Sequence, residues 1–138
     1  MYLIDTSVIS EIRKKSKANR GVKSFFSQAN KYKNNLFISA ISIGELRRGV
    51  ELIRHRGDKK QATQLEKWLA VIVAEYDKNI LDFTGLEAQV WGCLRVPNYE
   101  NAIDKQIAAT ALAYDLTLVT RNIKDFLDTG VKLMDPFE

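Results

Sequence analysis

The chain has 138 residues and a mass of 15.7 kDa, which suits one domain, 1–138, with a real hydrophobic core. Apolar residues make up 46% and charged residues 28%, with only 7 Gly and 2 Pro, a composition that excludes disordered and low-complexity classes. Lys and Arg total 21 against 17 Asp and Glu, a net charge of +4, which helps approach to a polyanion without requiring one.

Tyr2-Leu3-Ile4 reads as a short buried strand, and Thr6 to Lys14 changes to helical spacing with Val8, Ile9 and Ile12 on one face. Val22, Phe25, Phe26 and Ala29 predict a second helix that ends near Tyr32-Lys33-Asn34-Asn35. Leu36 to Ala40 is a second apolar strand, followed by a helix from about Ser42 to Ile53. A charged turn, Arg54 to Asp58, precedes a helix over Gln61 to Ala74 carrying Leu65, Trp68, Leu69 and Ile72. Asn79 to Phe83 forms a short strand, and Thr84 to Arg95 a helix with Leu86, Val90, Trp91 and Leu94 inward. Val96 to Glu100 has breaker chemistry. Ile103 to Ala113 is an alanine-rich helix able to approach a sheet closely, Leu116 to Thr120 a strand, and Val131 to Met134 a last strand. Short apolar strands alternating with amphipathic helices predict an α/β fold: a three-layer α/β/α sandwich around a mostly parallel sheet.

Ligands in such sheets bind beyond the carboxyl ends of the strands, and the acids fall there. Asp5 follows the first strand directly, Glu45 lies early in the helix after the second, and Asp104 opens the alanine-rich helix. Asn122 and Asp125 follow the strand ending at Thr120. Each has a plainer reading as a helix cap. Asp5 can be an N-cap, Ser42 and Glu45 match a capping box, and Asn101 can cap a helix carrying Asp104 in its first turn. Asn122 to Asp125 allows the same. Capping, however, does not require the acids to share one end of a sheet. Carboxylates that converge without matching bases are costly unless a cation neutralises them.

Other chemistries compete poorly. His55, the one histidine, sits in a charged RHRG turn, which leaves no histidine-based zinc site or hydrolase triad. Cys93 lies on an apolar helix and is expected in the core; alone, it excludes a disulfide framework and suits a reducing compartment. No phosphate-binding glycine loop or dinucleotide fingerprint is present. Trp68 and Trp91 fit core spacing better than a base-stacking platform. No apolar run approaches the roughly 18 residues that span a bilayer, and MYLIDTSVIS lacks the basic start of a secretory signal. The expected address is the cytoplasm. What remains is a carboxylate site for a hard divalent ion, Mg²⁺ or Mn²⁺.

The segments MYLIDTSVISE, ISIGELRRGV, IDKQIAATALAYDLTLVTRNIKDF and VKLMDPF resemble the PIN-domain ribonucleases, specifically toxins of the VapC and FitB type from type II toxin–antitoxin pairs. The resemblance runs from Tyr2 to Phe137 with the motifs in family order. It implies a PIN-like fold, a Mg²⁺-dependent endoribonuclease with Mn²⁺ as a substitute, and tRNA or rRNA as candidate substrates. Carried over by motif, Asp5, Glu45 and Asp104 match the acids of the family's catalytic and metal-binding site. Asn122 stands where many relatives place a fourth acid, and Asp125 could partly substitute for it. Thr6 and Thr120 match hydroxyl positions that line the family pocket. A basic rim of Arg13, Lys14, Arg47 and Arg48 would hold RNA phosphates. The implied partners are a cognate antitoxin that covers the acidic cleft, a second copy in a homodimer, and operator DNA reached only through the antitoxin.

Three rivals share features with this reading. A phosphoacceptor or phosphoryl-transfer domain would need DxD, where the run is Asp5-Thr6-Ser7, or a late lysine that the chain does not place. A catalytically inactive PIN scaffold would have no reason to keep costly acids. A DNA-directed nuclease shares the metal chemistry, and no residue in the sequence reports contact with a ribose 2′-hydroxyl.

Overall fold

The computed structural model describes residues 1–32 and 35–138. Lys33 and Asn34, where the second helix is expected to end, lie outside the described residues.

The strands are β1 (Tyr2–Ile4), β2 (Leu36–Ser39), β3 (Ile80–Leu81), β4 (Thr117–Val119) and β5 (Leu133–Met134). The helices are α1 (Thr6–Ile12), α2 (Arg20–Lys31), α3 (Ala40–His55), α4 (Lys59–Glu75), α5 (Gly85–Leu94) and α6 (Ala102–Ala113). All four strand pairs are parallel, in the order β3-β2-β1-β4-β5. The chain builds outward from β1 on one side, then returns to build the other side with β4. The order therefore reverses between β1 and β4, where a doubly wound sheet opens a crevice.

Alternation along the strands sends neighbouring residues to opposite faces. Ile4, Ile38 and Val119 pack with Val8, Val22, Phe25, Leu46, Val50, Leu69 and Ile72 under α1 to α4. Leu3 and Leu118 pack with Ile107, Ala108, Ala111 and Phe126 under α6. The two cores give the three layers expected. Among the described residues no helix is long and apolar enough to cross a membrane.

The structure corrects the local reading at several points. α3 starts at Ala40, two residues earlier than expected, because Ser39 ends β2 and caps the helix at once, its Oγ accepting from the Ile41 N–H at 3.0 Å. Ser42 and Glu45 therefore form no capping box; Ser42 is buried inside the helix with its Oγ unpartnered. In α5, Leu86 is 64% exposed and Glu87 takes the inward position. The Thr84 hydroxyl, donating to Glu87 Oε2 at 2.6 Å, partners that carboxylate. Cys93 is exposed rather than buried in the core. Trp68 and Trp91 are both half-buried, at the edge of the core rather than inside it.

Residues 136–138 lie against the start of α2. Asn19 Oδ1 accepts from the N–H groups of Gly21, Val22 and Glu138, and its amide donates to the Glu138 carbonyl. A Cβ at Gly21 would stand 2.0 Å from the Pro136 carbonyl oxygen. Gly21→Ala should therefore destabilise the fold by about 2 kcal/mol through overpacking, read as a lower urea midpoint. An unchanged midpoint would mean that the tail is not seated there in solution.

Candidate active site

The register that pairs Ile4 with Val119 brings the ends of β1 and β4 side by side. Asp5 and Thr120, the next residues on each strand, are both buried. The Thr120 hydroxyl donates to Asp5 Oδ2 at 2.7 Å, and the Ser7 hydroxyl donates to the same oxygen at 3.1 Å. Asp5 occupies the N-cap position of α1, yet its side chain makes no cap hydrogen bond. The plainer reading fails here: this carboxylate is buried without being spent on the helix. Thr120 Oγ1 in turn accepts from the Asn122 N–H at 3.0 Å, which ties the turn after β4 to the acid.

Glu45 reaches the same end of the sheet from the second turn of α3, and its Oε1 accepts from the Thr6 hydroxyl at 3.0 Å. Burial pushes its carboxyl above the ordinary range; the Thr6 hydrogen bond opposes this, the charge of Asp5 adds to it, and Arg48 opposes it. Asp104, in the first turn of α6, is half-buried, and the adjacent N-cap residue Asn101 makes no side-chain cap bond. Its carboxyl is raised to about 6, first by burial and then by the charges of Asp5, Asp125 and Glu45. Asp104 thus feels the charge of the other three acids, and Glu45 that of Asp5. Asp125 is exposed on the short turn Ile123–Phe126, and Asn122 caps that turn by position only.

The expected basic rim divides. Arg13 is exposed, with its guanidinium 5.9 Å from the centre of the Trp68 ring. Arg48 is exposed one turn from Glu45 and within reach of its charge. Lys14 pairs with Glu11 at 2.9 Å. Arg47 turns toward α4, where it pairs with Glu66 at 2.6 Å and with Glu51 at 3.2 Å, alongside Arg54. Sequence reasoning missed Ser7 as an anchor of Asp5. The third residue of Asp5-Thr6-Ser7 was the available signal for it. Arg121, next to Thr120, turns its guanidinium over the Phe137 ring at 4.7 Å.

None of the ion pairs among the described residues includes Asp5, Glu45, Asp104 or Asp125. Nor do three acidic, His or Cys side chains among them close into a ready cage for a metal ion. A hard divalent ion that keeps several of its waters needs only one or two carboxylates, so acids gathered without ion-pair partners fit one.

A parallel sheet with acids gathered at its switch point defines a doubly wound α/β class rather than one protein. The model of the PIN domain matches residues 2–132, and the chain belongs to that family of nucleases, in its VapC/FitB toxin branch. It is 31% identical to Toxin FitB of Neisseria gonorrhoeae over 99% of both chains. The structure of FitAcB from the same organism superposes with a TM-score of 0.84 at 29% identity, covering 99% of this chain and 98% of that one. VapBC2 of Rickettsia felis, bound to a DNA fragment from its promoter, gives 0.72 at 25% identity with 96% of each chain covered.

Proposed function

We propose that this chain is the toxin of a type II toxin–antitoxin pair and a Mg²⁺-dependent endoribonuclease, with Mn²⁺ able to replace Mg²⁺. The observation that carries this reading is the placement of Asp5: buried, held by two hydroxyls, not used as a cap, and joined by Glu45 and Asp104, none of them in an ion pair among the described residues. A bound divalent ion would compensate charge on the phosphoryl oxygens and lower the pKa of water. Asp5 and Asp104 are the residues proposed to hold it. Thr120, Ser7 and Thr6 fix the orientation of Asp5 and Glu45 before substrate arrives, which is where rate is gained. Thr6 occupies Glu45 Oε1, and burial makes this carboxylate more basic than usual. Glu45 Oε2 is therefore the oxygen proposed to take the proton of the attacking water. The water oxygen bonds to phosphorus as the P–O bond to the leaving oxygen breaks, and the leaving oxygen takes a proton from solvent.

Arg48 is the cation proposed to meet RNA phosphates, with Arg13 set beside the Trp68 ring. Arg47 is committed to Glu51 and Glu66. Arg48→Ala should weaken RNA binding and reduce the slope of log K against log salt by about 1. Arg47→Ala should leave that slope unchanged and lower the melting temperature slightly. The opposite pattern would move the rim to the α4 side of α3.

An antitoxin covering the crevice, and a homodimer, extend this proposal on the strength of the family resemblance. The test of the activity is cleavage of tRNA, rRNA and single-stranded DNA with Mg²⁺, Mn²⁺ or EDTA. Metal-dependent cutting of RNA is the expected result. Preference for DNA would make the chain a DNA nuclease, and no cleavage together with no Mn²⁺ binding by calorimetry would make it an inactive scaffold.

A further inference from the structure

Beside the acids, α1, α3 and α4 line an open pocket of about 160 Å³ whose side away from Glu45 takes no part in the catalytic reading. Glu45 and Thr6 form its near wall, Ser10 and Arg13 of α1 its rim, and Trp68 of α4 its far wall. The rest is apolar surface of α3 together with Leu65 of α4, and it includes Gly49, where a Cβ would meet nothing within 4 Å. The arrangement combines an aromatic surface, a guanidinium beside it, a hydroxyl and an apolar floor, all directly next to a proposed catalytic carboxylate. A single planar, hydrogen-bonding group suits its size and lining. Single-stranded RNA supplies such groups at fixed spacing from each phosphate, and unstacked bases are commonly received on aromatic side chains and Arg planes.

We propose that this pocket receives one nucleobase of the substrate strand beside the scissile phosphate, with Trp68, Arg13 and Ser10 as the residues that contact it. The assignment rests on the nuclease reading and adds to it a source of cleavage-site preference. The base would lie along the Trp68 and Arg13 wall, Ser10 Oγ would meet a polar edge, and its phosphate would extend past Glu45 toward Asp5.

The glycines of α3 allow a clean test. Gly49→Leu extends into this pocket, whereas Gly44→Leu extends into a separate groove of about 510 Å³ between α3 and α4, where an added Cβ likewise meets nothing within 4 Å. Both replace glycine with a better helix former. The measurement is kcat/KM with Mg²⁺ on one mapped RNA, and on copies abasic at each nucleotide flanking the cut. For the wild-type protein one abasic position should cost roughly tenfold or more. Gly49→Leu should lose a similar factor on intact RNA and be insensitive to that abasic change, a non-additivity that marks direct contact. Trp68→Leu should behave alike, and Gly44→Leu like wild type. Unchanged cleavage by Gly49→Leu overturns the assignment, whatever protein segment the pocket then holds, as does equal sensitivity of wild type to every abasic position. A wild-type protein that cuts no RNA would instead sink the nuclease reading and the pocket with it.

Discussion

Asp5→Asn should abolish metal-dependent cleavage, by about 10³-fold or more in kcat, while leaving the fold intact. The size follows from the unit to which Asp5 belongs, since removing one member of a cooperating catalytic set costs nearly as much as removing all. The fold should survive because asparagine has the same shape and keeps an oxygen for the Thr120 and Ser7 hydroxyls, which now donate at 2.7 and 3.1 Å. Removing this charge also removes one cause of the raised carboxyls of Asp104 and Glu45, so the metal-free variant should be no less stable than wild type. Thr120→Val keeps the acid but loses its orientation, and should cost roughly 10- to 100-fold, as changes behind a metal ligand do. Circular dichroism melting and Mn²⁺ calorimetry accompany the rate measurement. Equal cleavage by wild type and Asp5→Asn would identify the activity as a contaminant.

The layers, the all-parallel sheet and the position of Asp5 were legible because each depends on local pattern: short apolar strands, helical spacing and an acid at a strand end. Choices separated by one residue were not. Ser39 and Ser42 can both cap a helix, and only the direct passage from β2 into α3 selects Ser39. Leu86 and Glu87 begin alternative stripes that share Val90, Trp91 and Leu94, so a hydrophobic count favours Leu86. The Thr84 hydroxyl makes the buried acid tolerable and decides otherwise. Arg47 and Arg48 lie 100° apart on one helix, and the docking of α4, which presents Glu66, determines which of them faces the acids. Cys93 shows the same limit: an apolar helix has an exposed side, and composition does not say which residue lies on it. The pocket beside Trp68 was illegible for a different reason, since three helices distant in sequence contribute its walls.

Asp104→Asn should separate function from stability in opposite directions. Cleavage should fall on the same scale as for Asp5→Asn, because Asp104 is the second proposed ligand. The metal-free variant, however, should be more stable than wild type at neutral pH. The Asp104 carboxyl rises from its ordinary 3.8 to about 6 in the fold, so the folded protein binds that proton more tightly than the unfolded chain. Its contribution is fully present below about pH 4 and is lost as pH climbs through 6. A fully desolvated group with this shift would cost roughly 3 kcal/mol; the side chain is half-exposed and screened by solvent, which reduces the expected effect to about 1 kcal/mol. Urea midpoints in EDTA should therefore fall for wild type relative to Asp104→Asn between pH 4 and 7, then run parallel. Adding Mn²⁺ should restore wild type by mass action and leave the variant nearly unmoved. A wild-type curve that tracks the variant at every pH would show that the acids do not repel one another, and the case for a neutralising cation would lose its electrostatic basis.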